Sequence, residues 1–202
     1  MYKLPFRGKV RVTCPFGKAG NWQAGFHVGL DLVGDENKRI HPIGNGVVES
    51  INAHGSAYGK HVCVKHEDGN VSLYAHLASI YVDKGQKVGI SSALGMEGDT
   101  GNASGSHLHL EIHRGYYKYP PKGSSPASCP WLLNPAEALG IENQVGEAVS
   151  LTEKASEWAK EAWQWAAENG ILDGTRPKEG VTREELAVIA QRILLICKGM
   201  GQ

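Results

Sequence analysis

Hydrophobic and polar residues alternate along several short stretches before residue 125. The stretches "GNGVVESINA", "KHVCVKHEDGNVSLYAHL" and "HLHLEIH" alternate or run with β-branched residues between turn signals. "EDGN" at 67–70 has the residues of a hairpin tip, and 26 of the 202 residues are glycine. Short strands joined by tight turns follow from this pattern. We therefore expect a mostly antiparallel β domain over residues 1–139.

The composition changes at 140–150, which we interpret as a linker between two domains. Beyond it, apolar residues recur at helical spacing, and the spacing of a capping box begins one helix at Ser150 and another at Thr182. Residues 151–202 are thus predicted to form a small helical domain, which makes the chain an α+β protein. A helical pair of about 50 residues buries little core alone, so we expect it to pack on the first domain or to self-associate.

Composition and charge argue against two classes of protein. The formal net charge is zero, whereas general nucleic-acid binders carry a basic excess. No apolar run approaches the roughly 18 residues of a membrane span. The start, "MYKLPFRGKV", lacks the apolar core of a secretory signal, so we expect the protein to be made and held in the cytoplasm.

Cysteine and histidine are distributed differently along the chain. The four cysteines, Cys14, Cys63, Cys129 and Cys197, are widely spaced and form no C-x-x-C pair. We therefore expect buried free thiols rather than a zinc ribbon or a redox motif. All nine histidines lie at or before His113, so imidazole chemistry is confined to the first domain.

One predicted strand carries a polar row. In "SHLHLEIHRG" at 106–115, three histidines and a glutamate occupy every second position, with leucines and an isoleucine between them. Because side chains alternate faces along a strand, the polar residues share one side and the apolar residues the other. The row is either a solvated face or a reaction site. Two neighbouring imidazoles on one face, His107 and His109, favour the reaction site.

A second stretch, "FHVGLDL", supplies an imidazole and a carboxylate. His27 and Asp31 are four residues apart, which returns both to one side of an extended chain. The spacing is weak evidence alone, but with one histidine of the H-x-H pair it makes a set of two nitrogens and one oxygen suited to zinc. A zinc ion lowers the pKa of bound water, and the remaining histidine of the pair is placed to take the water's proton. This combination of metal ligands and a proton acceptor predicts an enzyme that catalyses hydrolysis.

The stretch "SLYAHL" adds a third histidine. Tyr74 and His76 have the same strand parity, so we expect them on one face. An imidazolium or N–H donor at His76 would stabilise the oxyanion that forms when a carbonyl is attacked. The alternative for an isolated histidine is an ordinary hydrogen-bonded strand residue.

These stretches together resemble a known family. In order and in residue content, five stretches resemble the lysostaphin/LytM-type zinc endopeptidases that cut peptidoglycan. They are "GFHVGLDL", "PIGNGVVESI", "YGKHVCVKHEDGNVSLYAHL", "VDKGQKVG" and "GDTGNASGSHLHLEIH". The resemblance covers roughly residues 9–139. It implies an antiparallel β sandwich with an open groove, and one Zn²⁺ per chain bound by His27, Asp31 and His109. It also implies that His107 is the general base and that His76 orients substrate or stabilises the transition state.

Other positions follow from the same resemblance. Some members place a tyrosine six residues before the first zinc histidine, where this chain has Asn21 with Trp22 beside it. We expect Tyr74, Asn21 and Trp22 to contact substrate, and Glu111 to accept a hydrogen bond from a ligand histidine. The remaining histidines are expected at the surface or behind the site, without a catalytic role: His41, His54, His61, His66 and His113.

The tail resembles one S-layer homology repeat, a module that binds secondary cell-wall polymers of Gram-positive bacteria. The similarity spans 157–195, from the first predicted helix through "ENGI" to "VTREELA". Arg183 and Glu184 are the expected polymer contacts by resemblance. Trp158 and Trp165 are predicted to lie together at the edge of the first helix. Aromatic faces there would either contact sugar rings or cover the core of the helical domain.

The sequence therefore predicts a two-domain peptidoglycan hydrolase that cuts stem-peptide or cross-bridge bonds. A wall-binding tail without a secretory signal is typical of a phage or prophage endolysin, stored in the cytoplasm and acting on the wall after release. Two alternatives remain open. One is a non-catalytic wall-binding or regulatory module, and the other is a non-haem iron oxygenase, which also uses two histidines and a carboxylate.

Overall fold

The computed structural model describes residues 2–34 and 38–147. Within these residues there are two 3₁₀ turns, at Ser56–Tyr58 and Pro126–Ser128, and one short α-helix, α1, at Pro135–Leu139. No helix in this described part is long and apolar enough to cross a membrane. The strands are β1 (Val10–Cys14), β2 (Leu30–Gly34), β3 (Arg39–Ile40), β4 (Gly46–Ile51), β5 (Lys60–His66), β6 (Asn70–Leu77), β7 (Ser79–Ile80), β8 (Lys87–Val88), β9 (Gly95–Met96), β10 (Leu108–Arg114), β11 (Leu132–Leu133) and β12 (Gly146–Glu147).

Two antiparallel sheets contain these strands. The large sheet has the order β12-β1-β2-β10-β6-β5-β4-β8, and β11 also pairs with β10. The small sheet has the order β3-β9-β7. The predicted antiparallel β domain is thus confirmed over the described residues. The predicted helices of 151–202 lie outside them, as do Arg183, Glu184, Trp158 and Trp165.

The hairpin predicted at 67–70 joins β5 to β6. Gly69 has a φ of +83°, which glycine adopts without steric cost, and its N–H donates to the His66 carbonyl to close the turn. The Asp68 carboxylate accepts a hydrogen bond from the Asn70 N–H. Short polar residues and a glycine therefore form the tip, as the sequence indicated.

The apolar face of the large sheet forms the main core. Leu108, Leu110 and Ile112 of β10 are fully buried, so the predicted alternation is correct. They share one apolar cluster with Ile40 of β3 and with Leu94, which precedes β9. The small sheet therefore lies against the apolar face of the large one, which leaves the opposite face of β10 to build the site.

That opposite face is also largely buried. A second apolar cluster covers part of it, formed by Tyr58, Cys63, Val71, Leu73 and Ala75. Glu111 and His113 on β10 are fully buried, so a solvated face is the wrong description of the polar row. Ionisable groups in such surroundings require hydrogen-bond partners, because burying them without partners costs several kcal/mol.

Strand β6 loses its alternation at His76. The φ of His76 is +63°, a left-handed backbone conformation that rotates its ring out of the strand pattern. Tyr74 packs in the main core and is fully buried, and its hydroxyl accepts hydrogen bonds from the Ile43 N–H and from the Ser72 hydroxyl. The prediction that Tyr74 and His76 share a face is wrong, and so is the expected contact of Tyr74 with substrate.

Replacing Tyr74 by Phe tests this correction. The change leaves the buried Ile43 N–H without its partner, so we expect the free energy of unfolding to fall by about 1–3 kcal/mol. Tyr81→Phe, at an exposed position, is the matched control and should change stability by less than about 0.5 kcal/mol. Urea denaturation measures both. A Tyr74→Phe protein of unchanged stability with impaired substrate binding would contradict the core assignment.

Candidate metal and catalytic site

Three side chains meet where β2 lies beside β10. Asp31 of β2 is directly opposite His109 of β10, and His27 lies just before β2. The Asp31 Oδ1 atom is 3.0 Å from His27 Nε2 and 2.8 Å from His109 Nδ1. The two nitrogens are 3.1 Å apart. The structure thus brings together the three residues predicted as metal ligands.

The other ring nitrogen of each histidine fixes which atom faces the centre. His27 Nδ1 lies 3.0 Å from the Pro15 carbonyl, and His109 Nε2 lies 3.0 Å from Glu111 Oε1. Both oxygens only accept, so these nitrogens donate their N–H groups. In the neutral rings, His27 Nε2 and His109 Nδ1 then present lone pairs toward the Asp31 oxygen. Three acceptors at one point need a positive charge between them, and this donor set fits Zn²⁺.

The pKa values follow from the same contacts. Burial opposes ionisation of Asp31, but hydrogen bonds from His109 and His27 outweigh it and hold the pKa of its carboxyl well below the usual range. Burial also disfavours a charged His109, yet hydrogen bonds to Asp31 and Glu111 raise its pKa to about 10. Without a metal, a proton on His109 therefore supplies the positive charge. His27, Asp31 and His109 would hold a metal ion in place of that proton.

A buried carboxylate lies behind His109. Glu111 Oε1 accepts from His109 and, at 2.5 Å, from the Tyr58 hydroxyl, while Oε2 accepts from His113 Nε2 at 2.7 Å. The Tyr117 hydroxyl donates to the Tyr58 oxygen and extends the chain of contacts. The Glu111 contact was predicted from the sequence. Tyr58 was not, because no local pattern relates a 3₁₀ turn to a strand more than fifty residues away.

Burial would raise the pKa of Glu111, but hydrogen bonds from His109 and His113 hold it well below the usual range. The carboxylate is therefore ionised although it is fully buried. Burial and the negative charge of Glu111 raise the pKa of Tyr58, so its hydroxyl stays protonated and donates. Each partner thus has the protonation state that orients His109 toward the metal-ligand position.

Gly29 gives the His109 ring its space. A Cβ atom at Gly29 would lie 2.6 Å from His109 Cε1 and 2.6 Å from the Leu110 carbonyl oxygen. Any side chain there has to displace the ring or the backbone of β10. The glycine between His27 and Asp31 is therefore a steric requirement of the site, which the sequence pattern alone did not reveal.

Two further histidines border the three acceptors. His107 Nδ1 donates to the Gly105 carbonyl at 2.7 Å, and His76 Nδ1 donates to the Thr100 carbonyl at 2.8 Å. Their rings are 4.7 Å apart, and His107 Nε2 lies 3.7 Å from the Asp31 carboxylate. Both rings are anchored through Nδ1, so Nε2 of each is the atom available to other groups.

The ring of His76 has a defined state in this structure. Burial lowers the pKa of His76 to about 4, so the ring is neutral near pH 7. Because its proton is on Nδ1, its Nε2 is an acceptor and offers no N–H to an oxyanion. In this resting state, orientation of a substrate donor group is the role that suits His76, and the predicted transition-state role stays a prediction.

The loop before β2 brings two more predicted residues to this region. The ring of Trp22 is 5.1 Å from the ring of His27 and is partly exposed. Asn21, beside it, is exposed. Both residues are therefore at the surface, with Trp22 in contact range of a metal-ligand candidate.

Cys14 differs from the expected buried thiol. Its sulfur forms a cluster with ligand atoms of His27 and Asp31, all within 4.8 Å of one another. Burial, and then the charge of Asp31, raise the pKa of its thiol. Cys63 and Cys129 are buried and free, as predicted, and Cys197 lies outside the described residues.

The remaining histidines show no contact with the three acceptors. His41, His61 and His66 are buried rather than at the surface, and each directs Nδ1 to a backbone carbonyl. His54 stacks on the ring of Tyr117 with centroids 3.7 Å apart. His113 also has no contact with the three acceptors, but it donates to Glu111 behind His109.

Comparison with known proteins agrees with this geometry. Residues 25–121 match the profile of peptidase family M23. These residues are just under half of the chain, and they are similar to that family. The chain is also similar to the peptidoglycan DD-endopeptidase ShyA of Vibrio cholerae serotype O1, with 36% identity over 86 residues, which are 43% of this chain and 20% of ShyA. The chain thus spans about a fifth of that relative's length.

Solved structures show the same fold. The catalytic domain of lysostaphin from Staphylococcus simulans has a TM-score of 0.54 and 19% identity, covering 63% of this chain and 90% of that domain. The catalytic domain of the prophage-encoded M23 protein EnpA from Enterococcus faecalis has a TM-score of 0.51 and 23% identity, covering 66% and 95%. These two matches each cover about two thirds of this chain and show the fold.

Replacing Glu111 by Gln tests the contact behind His109. The amide keeps the size of the side chain but has one acceptor oxygen, so its NH₂ group faces one of the histidine N–H groups. We expect zinc affinity to fall about 10- to 100-fold. Competition with a chelator measures the affinity.

Glu49→Gln is the matched control, since Glu49 is exposed on β4 and loses the same charge. It should leave zinc affinity unchanged. Equal affinities for the wild type and the Glu111→Gln protein, with both folded, would show that Glu111 does not orient His109.

Proposed function

We propose that this chain is a zinc-dependent endopeptidase that hydrolyses peptide bonds of bacterial peptidoglycan. The observation that carries the proposal is the meeting of three acceptors, on His27, Asp31 and His109, beside two imidazoles anchored through Nδ1. ShyA, which is named a peptidoglycan DD-endopeptidase, supports peptidoglycan as the substrate. Stem-peptide and cross-bridge bonds both belong to this substrate class.

His27, Asp31 and His109 would hold the zinc ion. When bound, zinc acts as a Lewis acid and makes water a nucleophile near neutral pH. The protein's contribution is orientation, because the Pro15 carbonyl and Glu111 keep the two ligand rings in the required tautomers.

His107 is the proposed general base. Its Nδ1–H is held by the Gly105 carbonyl, which leaves the Nε2 lone pair free to take a proton from the attacking water. Its position 3.7 Å from Asp31 places it next to the ligand set without being part of it. His76 orients substrate, since its Nε2 accepts a hydrogen bond from a backbone N–H of the peptide.

Trp22 and Asn21 complete the proposed substrate surface. The partly exposed Trp22 ring beside His27 provides an apolar wall, and the amide of Asn21 provides a polar contact. A non-catalytic module needs neither the three metal-ligand candidates nor the two neighbouring histidines. All five side chains lie together here: His27, Asp31, His76, His107 and His109.

Replacing His107 and His109 separately distinguishes base from ligand. His107→Ala should lower the rate of turbidity loss of purified walls by about 10²- to 10⁴-fold, with zinc content near that of the wild type. His109→Ala should lose both activity and zinc, because it removes one of the three ligands. Metal analysis and turbidity give the two readouts. Full lysis by the His107→Ala protein would overturn the base assignment, and iron with oxygen-dependent activity would overturn the zinc hydrolase.

We further propose that the tail binds a secondary wall polymer of Gram-positive bacteria, and that the protein is a phage or prophage endolysin held in the cytoplasm until lysis. The support is the S-layer-homology-like sequence of the tail. Intact protein in the culture medium of cells that have not lysed would contradict this route.

Paired substitutions in the full chain test the tail. Replacing Arg183 and Glu184 by Ala should lower co-sedimentation with purified Gram-positive walls about tenfold, while hydrolysis of soluble peptidoglycan fragments continues, because the M23 site is untouched. The control replaces Lys178 and Glu179 by Ala, which removes the same charges outside the T-R-E-E run. Equal wall binding by both variants would exclude Arg183 and Glu184 as the contacts.

A further inference from the structure

The end of β1 contains an irregularity beside the ligand set. Val12 pairs with Leu32 in the regular register, but the next pair is Cys14 with Asp31, so Thr13 is an extra residue in β1. A bulge of this kind redirects the side chain that follows it. Without it, Thr13 would be opposite Asp31. With it, Cys14 takes that place.

Residues directly opposite one another on paired strands share a face of the sheet. The Asp31 carboxylate points to His27 and His109, so the Cys14 side chain lies on the ligand side as well. The cluster of its sulfur with ligand atoms of His27 and Asp31, within 4.8 Å, agrees with this placement.

The Cys14 sulfur is close enough for ligation after a small movement. Sulfur and nitrogen ligands of one tetrahedral zinc ion lie roughly 3.5 Å apart, given the usual bond lengths. The sulfur forms only a weak contact in this structure, 4.0 Å from the Pro15 carbonyl oxygen. A change in the Cys14 side-chain rotamer therefore costs little. It moves the sulfur by more than the difference between the 4.8 Å limit of the cluster and this ligand spacing.

Cys14 also differs from the other described cysteines. Cys63 and Cys129 are buried among apolar side chains, and neither belongs to the group of ligand atoms. Cys14 is half-buried, next to a carboxylate and an imidazole. Soft thiolate ligands favour zinc over harder cations, so a cysteine at this place suits the metal that the other three residues fit.

We propose that Cys14 is a fourth protein ligand of this site, added to His27, Asp31 and His109. The inference rests on the proposed zinc site and deepens it. When the metal–sulfur bond forms, the S–H bond breaks and its proton goes to solvent. Four protein ligands fill a tetrahedral site, so Cys14 competes with substrate for the fourth position, and the ligated form is the resting form.

Cobalt substitution tests the ligand directly. Co²⁺ replaces Zn²⁺ in the full chain, and a cobalt–thiolate bond adds a near-ultraviolet charge-transfer band that nitrogen and oxygen ligands do not give. The wild type should show this band, and Cys14→Ser should lose it while keeping the visible bands of bound Co²⁺. Thr13→Ser, at the neighbouring exposed position, is the control and should keep both.

Zinc provides an independent readout. Cys14→Ser should bind zinc at least tenfold more weakly in competition with a chelator, and zinc should slow alkylation of Cys14 by iodoacetamide at least tenfold in the wild type. The serine differs from cysteine by one atom, and circular dichroism verifies that the variant is folded.

The outcomes separate this proposal from the proposed function. Visible cobalt bands without a thiolate band, together with unchanged zinc affinity in Cys14→Ser, would exclude Cys14 and leave the three-ligand site intact. A thiolate band that persists in Cys14→Ser would assign the sulfur to another cysteine and also exclude Cys14. No binding of Co²⁺ or Zn²⁺ by the wild type would overturn both proposals.

Discussion

The site depends on one electrostatic constraint. Asp31 Oδ1, His27 Nε2 and His109 Nδ1 meet within 3.1 Å of one another, where only a positive charge satisfies all three. Strand pairing creates this meeting, because Asp31 and His109 are directly opposite on β2 and β10. A slip of one residue in that register would turn His109 toward the apolar core and leave Asp31 alone. The buried leucines of β10, which fix the register, are therefore also what positions the ligands.

Glu111 changes the charge balance that the sequence suggested. Two neutral imidazoles and the Asp31 carboxylate would leave a divalent cation with one uncompensated positive charge. In the site with three protein ligands, the ionised Glu111 behind His109 brings the sum to zero in a region that is largely closed to water. Buried charge is tolerated only when paired and hydrogen-bonded, and Glu111 has three donors, from His109, Tyr58 and His113. The same contacts fix the tautomer of His109, so charge balance and ligand orientation come from one side chain.

Much of this site could be predicted from sequence, because it depends on periodicity. Alternation along β10 placed His107, His109 and Glu111 on one face, and spacing paired His27 with Asp31. Contacts between distant segments could not be predicted in this way. Tyr58 reaches Glu111 from a separate turn, and Gly29 matters only because His109 packs against it. The tautomer of His76 depends on the Thr100 carbonyl, which no strand pattern places. The tail, predicted to be helical, stays a prediction.

Tyr74 was assigned wrongly because β6 stops alternating at His76. A left-handed conformation at a non-glycine residue such as His76 costs about 1–3 kcal/mol and persists only when surrounding contacts enforce it. Thr100 supplies those contacts, since its carbonyl accepts from His76 and its hydroxyl donates to Leu77, the next residue along. Gly59 packs so closely on Thr100 that a Cβ atom there would lie 2.3 Å from the Thr100 carbonyl carbon. The Thr13 bulge in β1 is the second break in alternation, and it also directs a side chain to the ligand set. Both irregularities lie where chemistry is expected, so the residues that a regular strand pattern misplaces are the ones the site uses.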